Sequence, residues 1–139
     1  MKIKVLFITL LLFCLAFSQN RQNVLYQRED RIYQLMELDS VPKFVGGYDS
    51  LLAYFDKHFI MPEIYADANI QGQVICKFVV TGNGNIMDVK VLQGIDKELD
   101  EEVIRVISSM PQWCPGKKKG QAVKSMYFLP IYIRIKLAD

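Results

Sequence analysis

Two alternating runs, Gln73–Thr81 and Ile86–Gln93, face each other across Thr81-Gly82-Asn83-Gly84-Asn85. In the first, Val74, Cys76, Phe78 and Val80 share one face, while Gln73, Ile75, Lys77 and Val79 share the other. A period of two with one face more apolar is the signature of a half-buried strand. The intervening glycines and asparagines tolerate positive φ, so the two runs read as an antiparallel hairpin.

Around this hairpin the chain predicts two helices and a further strand. Pro42 and Gly46-Gly47 punctuate the approach to Asp49-Ser50, after which Leu51, Leu52, Phe55 and Phe59 recur at helical spacing. That helix is expected to end near Ile60, because Pro62 disfavours helical geometry at Met61. Glu63–Ala68 is compatible with another short helical turn. Asp96 is placed to cap a second helix, in which Leu99, Val103, Val106, Ile107 and Met110 form one face and Pro111 marks the end. Its first turns carry Glu98, Asp100, Glu101 and Glu102, matching the positive end of the helix dipole. A last strand is expected over 124–136, with Leu129, Ile131, Ile133 and Ile135 on one face and Phe128, Pro130, Tyr132 and Arg134 on the other. Proline donates no ladder hydrogen bond, so Pro130 places this strand at a sheet edge. Ile32–Val41 alternates enough for a short additional strand. The order helix, strand, strand, helix, strand defines an α+β fold: a small antiparallel sheet covered on one face by two helices.

The N-terminus reads differently. Lys2 and Lys4 precede an apolar run from Val5 to Phe17, then Ala16-Phe17-Ser18 and polar Gln19-Asn20, the order of a secretory signal peptide cleaved after Ser18. The competing reading is an uncleaved membrane anchor, disfavoured because a spanning helix needs roughly 20 apolar residues. Lipidation at Cys14 is disfavoured by the bulk of Phe13. The expected organisation is therefore a signal peptide over 1–18, a polar tether over 19–31 and one folded domain over 32–139. Of the 17 Lys and Arg against 15 Asp and Glu, Lys2 and Lys4 leave with the leader, and the secreted chain is neutral. Without a basic stripe there is no nucleic-acid footprint, and Lys117-Lys118-Lys119, between Gly116 and Gly120, reads as a solvated turn.

Little in the chain points to catalysis. His58 is the sole histidine, so neither a metal site nor a Ser/His/Asp arrangement is predicted. The acids from Asp96 to Glu102 are explained by their helix N-terminus. Gly82-Asn83-Gly84 joins two strands and lacks the strand-to-helix context of a phosphate loop. Cys76 falls on an apolar strand face, where cysteine is usually an inert small hydrophobe. Cys76 and Cys114 remain in an oxidising compartment, and a disulfide between them requires Cα atoms within about 7 Å. No enzyme activity and no cofactor are expected.

Several short motifs, in order, carry a resemblance. They are Val41-Pro42-Lys43-Phe44-Val45-Gly46-Gly47, Met61-Pro62-Glu63 with Ala66, Ile70-Gln71-Gly72-Gln73-Val74, Phe78-Val79-Val80 with the turn and Ile86–Val91, Leu99-Asp100, Met110-Pro111-Gln112-Trp113-Cys114-Pro115-Gly116, and Leu129-Pro130-Ile131. Together they resemble the C-terminal domain of TonB, in its Bacteroidetes-type form; Val45 stands where that pattern has proline and Met61 where it has tyrosine. The resemblance implies a non-catalytic periplasmic module that binds the periplasmic side of TonB-dependent outer-membrane receptors, or another envelope protein. It also implies an extended partner peptide added to the last strand by β-augmentation, with Phe128, Pro130, Tyr132 and Arg134 as the partner-binding residues. Pairing of that edge with its own copy would instead give a homodimer. An energy transducer of this family has a long proline-rich arm and an anchor helix with a histidine. Here the leader has no histidine, and the arm of about 20 residues reaches at most roughly 70 Å when extended. Two readings follow: a transport component whose leader is kept as an anchor, and a free periplasmic adaptor.

Overall fold

The computed structural model describes residues 2–135, the side chains of 25–29 excepted. The chain divides after Arg31 into an N-terminal helix and a folded domain. The helix, α1 (Lys2–Asp30), runs without interruption through both the apolar leader and the polar tether. Its polar part is thus helical, and at 1.5 Å per residue residues 19–30 span only about 18 Å, far short of their extended reach.

The domain contains α2 (Tyr48–His58), β1 (Ile70–Val80), β2 (Ile86–Gln93), α3 (Lys97–Ser108), a two-residue pair β3 (Lys117–Lys118) and β4 (Gln121–Ala122), and β5 (Ser125–Ile135). The main sheet has the order β2-β1-β5, antiparallel throughout. The expected alternation along β1 is realised: Val74, Cys76, Phe78 and Val80 are fully buried, meeting Leu129, Ile131 and Ile133 from β5. Leu51 and Phe55 of α2 and Leu99, Val103, Val106 and Ile107 of α3 close this core on the same side. Within the domain, α2 and α3 both pack on this one face, and neither covers the other face.

Local chemistry explains the boundaries. α3 starts at Asp96, whose carboxylate accepts the Leu99 amide at 3.0 Å. α2 starts one residue before Asp49, with Gly47 as its N-cap, and ends at His58, slightly earlier than expected. Glu63–Tyr65 forms a single 3-10 turn after Pro62. The lysine run is a miniature hairpin in which Lys119 and Gly120 both take positive φ, the geometry of a two-residue hairpin turn.

The strand expected over Ile32–Val41 does not form. Residues 35–37 make a 3-10 turn instead, and the segment is joined by isolated bridges to β5 (Tyr33 to Ser125) and to β3 (Ser40 to Lys117). The reason is tertiary: this stretch must turn to deliver Pro42 and Phe44 to the core. Lys43 there exchanges two backbone hydrogen bonds with Cys114, at 2.9 and 2.8 Å. Trp113, only 3% exposed, is the hub so created, with Phe44, Phe78 and Tyr127 around it at ring-centroid distances of 5.7, 5.4 and 5.0 Å.

A polar latch ties the exit of α2 to α3. Arg105 donates to the Glu102 carboxylate (Nη2 to Oε1, 2.6 Å) and to the His58 carbonyl (2.7 Å), while Glu102 accepts the Ile60 amide at 2.7 Å. The Arg105 hydrogen bond holds the Glu102 carboxyl below its ordinary value of 4.5, with help from the Ile60 amide and against the effect of burial. A depressed carboxyl stabilises the fold above its unfolded pKa, and that contribution disappears as pH falls through the folded value. Urea denaturation followed from pH 7 to 3 should lose about 0.5 kcal/mol through this group, solvent screening included. Glu102→Gln is expected to abolish that part of the acid dependence, and an unchanged pH profile in the variant would refute the assignment.

Candidate functional site

Most of the groups considered for chemistry are held in structural contacts. Asp100 accepts the Ile95 amide at 3.0 Å, Asp96 caps α3, and Glu102 sits in the latch. His58 stacks on Tyr54 at 3.9 Å, its Nδ1 2.8 Å from the Tyr54 carbonyl. Cys76 and Cys114 are free; Cys114 is exposed, whereas burial, reinforced by Asp100, pushes the Cys76 thiol up to about 12. Among the described residues no group of His, Cys, Asp and Glu could hold a metal ion.

What stands out is the rim of the sheet. β5 is an edge strand, as Pro130 led one to expect. Near its start the outer side is occupied: the Tyr33 amide donates to the Lys124 carbonyl and the Met126 amide donates to the Tyr33 carbonyl, both at 2.9 Å. These two bonds set the polarity of the whole strand. The amide and carbonyl of one residue point to the same edge, and the edge alternates along the strand. The register with β1 runs unshifted from Ser125 to Ile135. Phe128, Pro130, Tyr132 and Arg134 therefore aim their backbone groups away from β1, and Leu129, Ile131 and Ile133 aim theirs into the ladder. Pro130 lies where its missing N–H costs no ladder bond. Beyond Met126 no outward hydrogen bond is made among the described residues.

The side chains at these four positions lie on the sheet face turned away from α2 and α3. Tyr132 is 77% and Phe128 42% exposed, and Pro130 and Arg134 are exposed as well. Opposite them on β1 stand Lys77, Ile75, Gln73 and Gln71 in register. At the far end, a shallow groove of about 520 Å³ is lined by Gln71, Gly72, Gln73, Tyr132, Ile133 and Arg134. Lys136, the last residue of the expected strand, lies outside the described residues.

The opposite edge is built differently. β2 pairs with β1 through two register shifts, so Asp88 and Val89 share Phe78 and Leu92 is an extra residue near Cys76. Asp88 takes positive φ (54°). Bulges of this kind twist an edge and spoil it as a template for another strand. Sequence reading identified the β5 side chains but not the direction of each amide, nor the bulges; an Asp within an alternating run was the only available sign of the latter.

A two-layer α+β domain with one bulged edge and one edge that, among the described residues, is unpaired beyond Met126 belongs to the class of small sheet modules whose open feature is a strand. The family model described as Gram-negative bacterial TonB protein C-terminal matches residues 57–134. The chain belongs to that family, which is associated with TonB-dependent transport. The match begins within α2 and ends within β5, so the Val41–Gly47 motif lies outside it. No curated protein matches the chain.

Proposed function

We propose that this protein is a TonB-like, non-catalytic binding module of the periplasm that takes up an extended segment of a TonB-dependent outer-membrane receptor along β5. The observation that carries the reading is the outer edge from Phe128 to Arg134, which has no hydrogen-bond partner among the described residues, on a sheet whose opposite β2 edge has bulges that disfavour pairing. Main-chain hydrogen bonds supply affinity in such β-augmentation, and side chains at alternate positions supply selectivity. Phe128, Tyr132 and Arg134 are the side chains placed to do so, with Pro130 between them.

Tyr132→Pro tests this directly, because it deletes an outward amide and leaves the inner ladder whole. In the full-length protein held in neutral detergent, affinity for a peptide from the periplasmic N-terminus of such a receptor should fall about tenfold, the size of one or two lost hydrogen bonds. Unchanged affinity in a normally folded variant would end the proposal. A homodimer through the same edge would appear instead as a concentration-dependent mass abolished by Tyr132→Pro.

The N-terminal helix bears on how such a module works. Lys2–Val24 is long and apolar enough to cross a membrane, a test that a signal sequence passes equally. Its leading Lys2 and Lys4, and the small residues at Ala16 and Ser18, favour secretion with cleavage after Ser18 and a free periplasmic adaptor. If the helix were kept as an anchor, a helical arm of about 18 Å would hold the domain close to the inner membrane, unlike a force-transmitting arm. N-terminal sequencing of the protein from the envelope should begin at Gln19; recovery of Met1 would favour the anchored transport component.

A further inference from the structure

The face of the sheet turned away from α2 and α3 has a charge pattern that stability does not explain. Lys77 and Lys90 are directly opposite each other in the β1–β2 register, and Arg134 faces Gln71 across β1–β5. Like charges facing each other across a strand pair are destabilising. Among the described residues none of the three cations has a carboxylate partner, since the ion pairs formed are Lys97–Glu101, Arg105–Glu102 and Lys118–Asp39. β1 and β5 contain no acid at all, and the one acid of β2, Asp88, sits in the bulge opposite Phe78, out of register with the lysines. The acids of Asp96–Glu102 belong to α3, which packs against the other face. The balance of charge thus differs across the sheet: acids outnumber Lys57, Lys97 and Arg105 on the helix side, while Lys77, Lys90 and Arg134 outnumber Asp88 on the three strands.

Resting on the edge reading above, we infer that the segment taken up at β5 is an acidic one, with carboxylates at alternate positions that project onto this open face. Strand geometry makes the match specific. A strand added to β5 directs every second side chain to the face that holds Phe128, Tyr132 and Arg134. It lies about 4.8 Å from β5, hence about 10 Å from the strand of Lys77 and about 14 Å from that of Lys90. With a screening length of about 8 Å in physiological salt, the cations should matter in the order Arg134, Lys77, Lys90. The groove between Gln71–Gln73 and Tyr132–Arg134 gives one such carboxylate a place beside Arg134. An anionic lipid surface is the other chemistry that aromatic and basic groups could meet. The continuity of this face with an edge of unpaired amides favours a peptide.

The test uses end-capped peptides alternating valine with glutamate, threonine or lysine, titrated against the full-length protein in neutral micelles. The glutamate peptide should bind about tenfold tighter than the threonine peptide, as expected for a few exposed ion pairs acting together, and the lysine peptide weakest. Arg134→Gln should remove about fivefold of that preference and Lys77→Gln about twofold, with Lys90→Gln less, and high salt should erase it. If the glutamate and threonine peptides bind equally, the acidic preference is wrong while the edge reading stands. If no peptide binds, both readings fall. If the amide signals of Lys77, Lys90 and Arg134 respond to micelles doped with an anionic phospholipid and not to the glutamate peptide, the face meets lipid and the inference is overturned.

Discussion

Trp113→Ala is expected to cost the domain about 3–5 kcal/mol, a large fraction of the roughly 5–15 kcal/mol that holds a domain folded. Trp113 joins three parts of the chain that are far apart in sequence: its ring packs between Phe44, Phe78 and Tyr127. Its amide donates to the Gly84 carbonyl at 2.8 Å, tying it to the hairpin turn. Removing the ring leaves a cavity lined by other rigid aromatics, which have little freedom to collapse into it. The indole Nε1 has no protein acceptor among the described residues, so no bond to another side chain or to the backbone is lost with the ring. Trp113→Phe should therefore cost less than half as much, and urea denaturation of the two variants separates packing from hydrogen bonding. Equal losses would show that the indole N–H matters after all. The same junction makes Gly84 irreplaceable: its φ is +83°, and a Cβ there would run into the Trp113 carbonyl.

The second large effect is a contrast between adjacent residues. Ile133→Pro should destabilise the domain by about 3 kcal/mol or more, whereas Tyr132→Pro should leave the melting temperature nearly unchanged. Ile133 is buried and pairs with Gly72, so proline there deletes an inner ladder bond, forces its ring toward β1 and removes an apolar side chain from the core. Tyr132 is exposed and its amide points outward, the arrangement that Pro130 already shows to be tolerated two residues earlier. Thermal denaturation by circular dichroism checks both variants. Similar losses in the two would mean that the alternation deduced from the Tyr33 bonds does not extend along β5, and the edge proposal would lose its footing.

Much of this architecture was legible in the residues. The hairpin, its buried face of Val74, Cys76, Phe78 and Val80, the Asp96 cap and the Pro130 edge all follow from local rules of period, capping and proline chemistry, which act within a few residues. Misread was Ile32–Val41, where alternation suggested a strand but the demand to bury Pro42, and Phe44 beside Trp113, imposed a turn. The polar tether likewise gave no sign of continuing the leader helix. For the candidate site, the sequence named the four exposed residues of β5 by itself, because their face follows from a period of two. Only the tertiary structure decided which amides point outward, since that depends on the side from which β1 pairs. It alone placed Lys77 opposite Lys90 and bulged the competing edge, because register is a relation between strands that no single strand encodes.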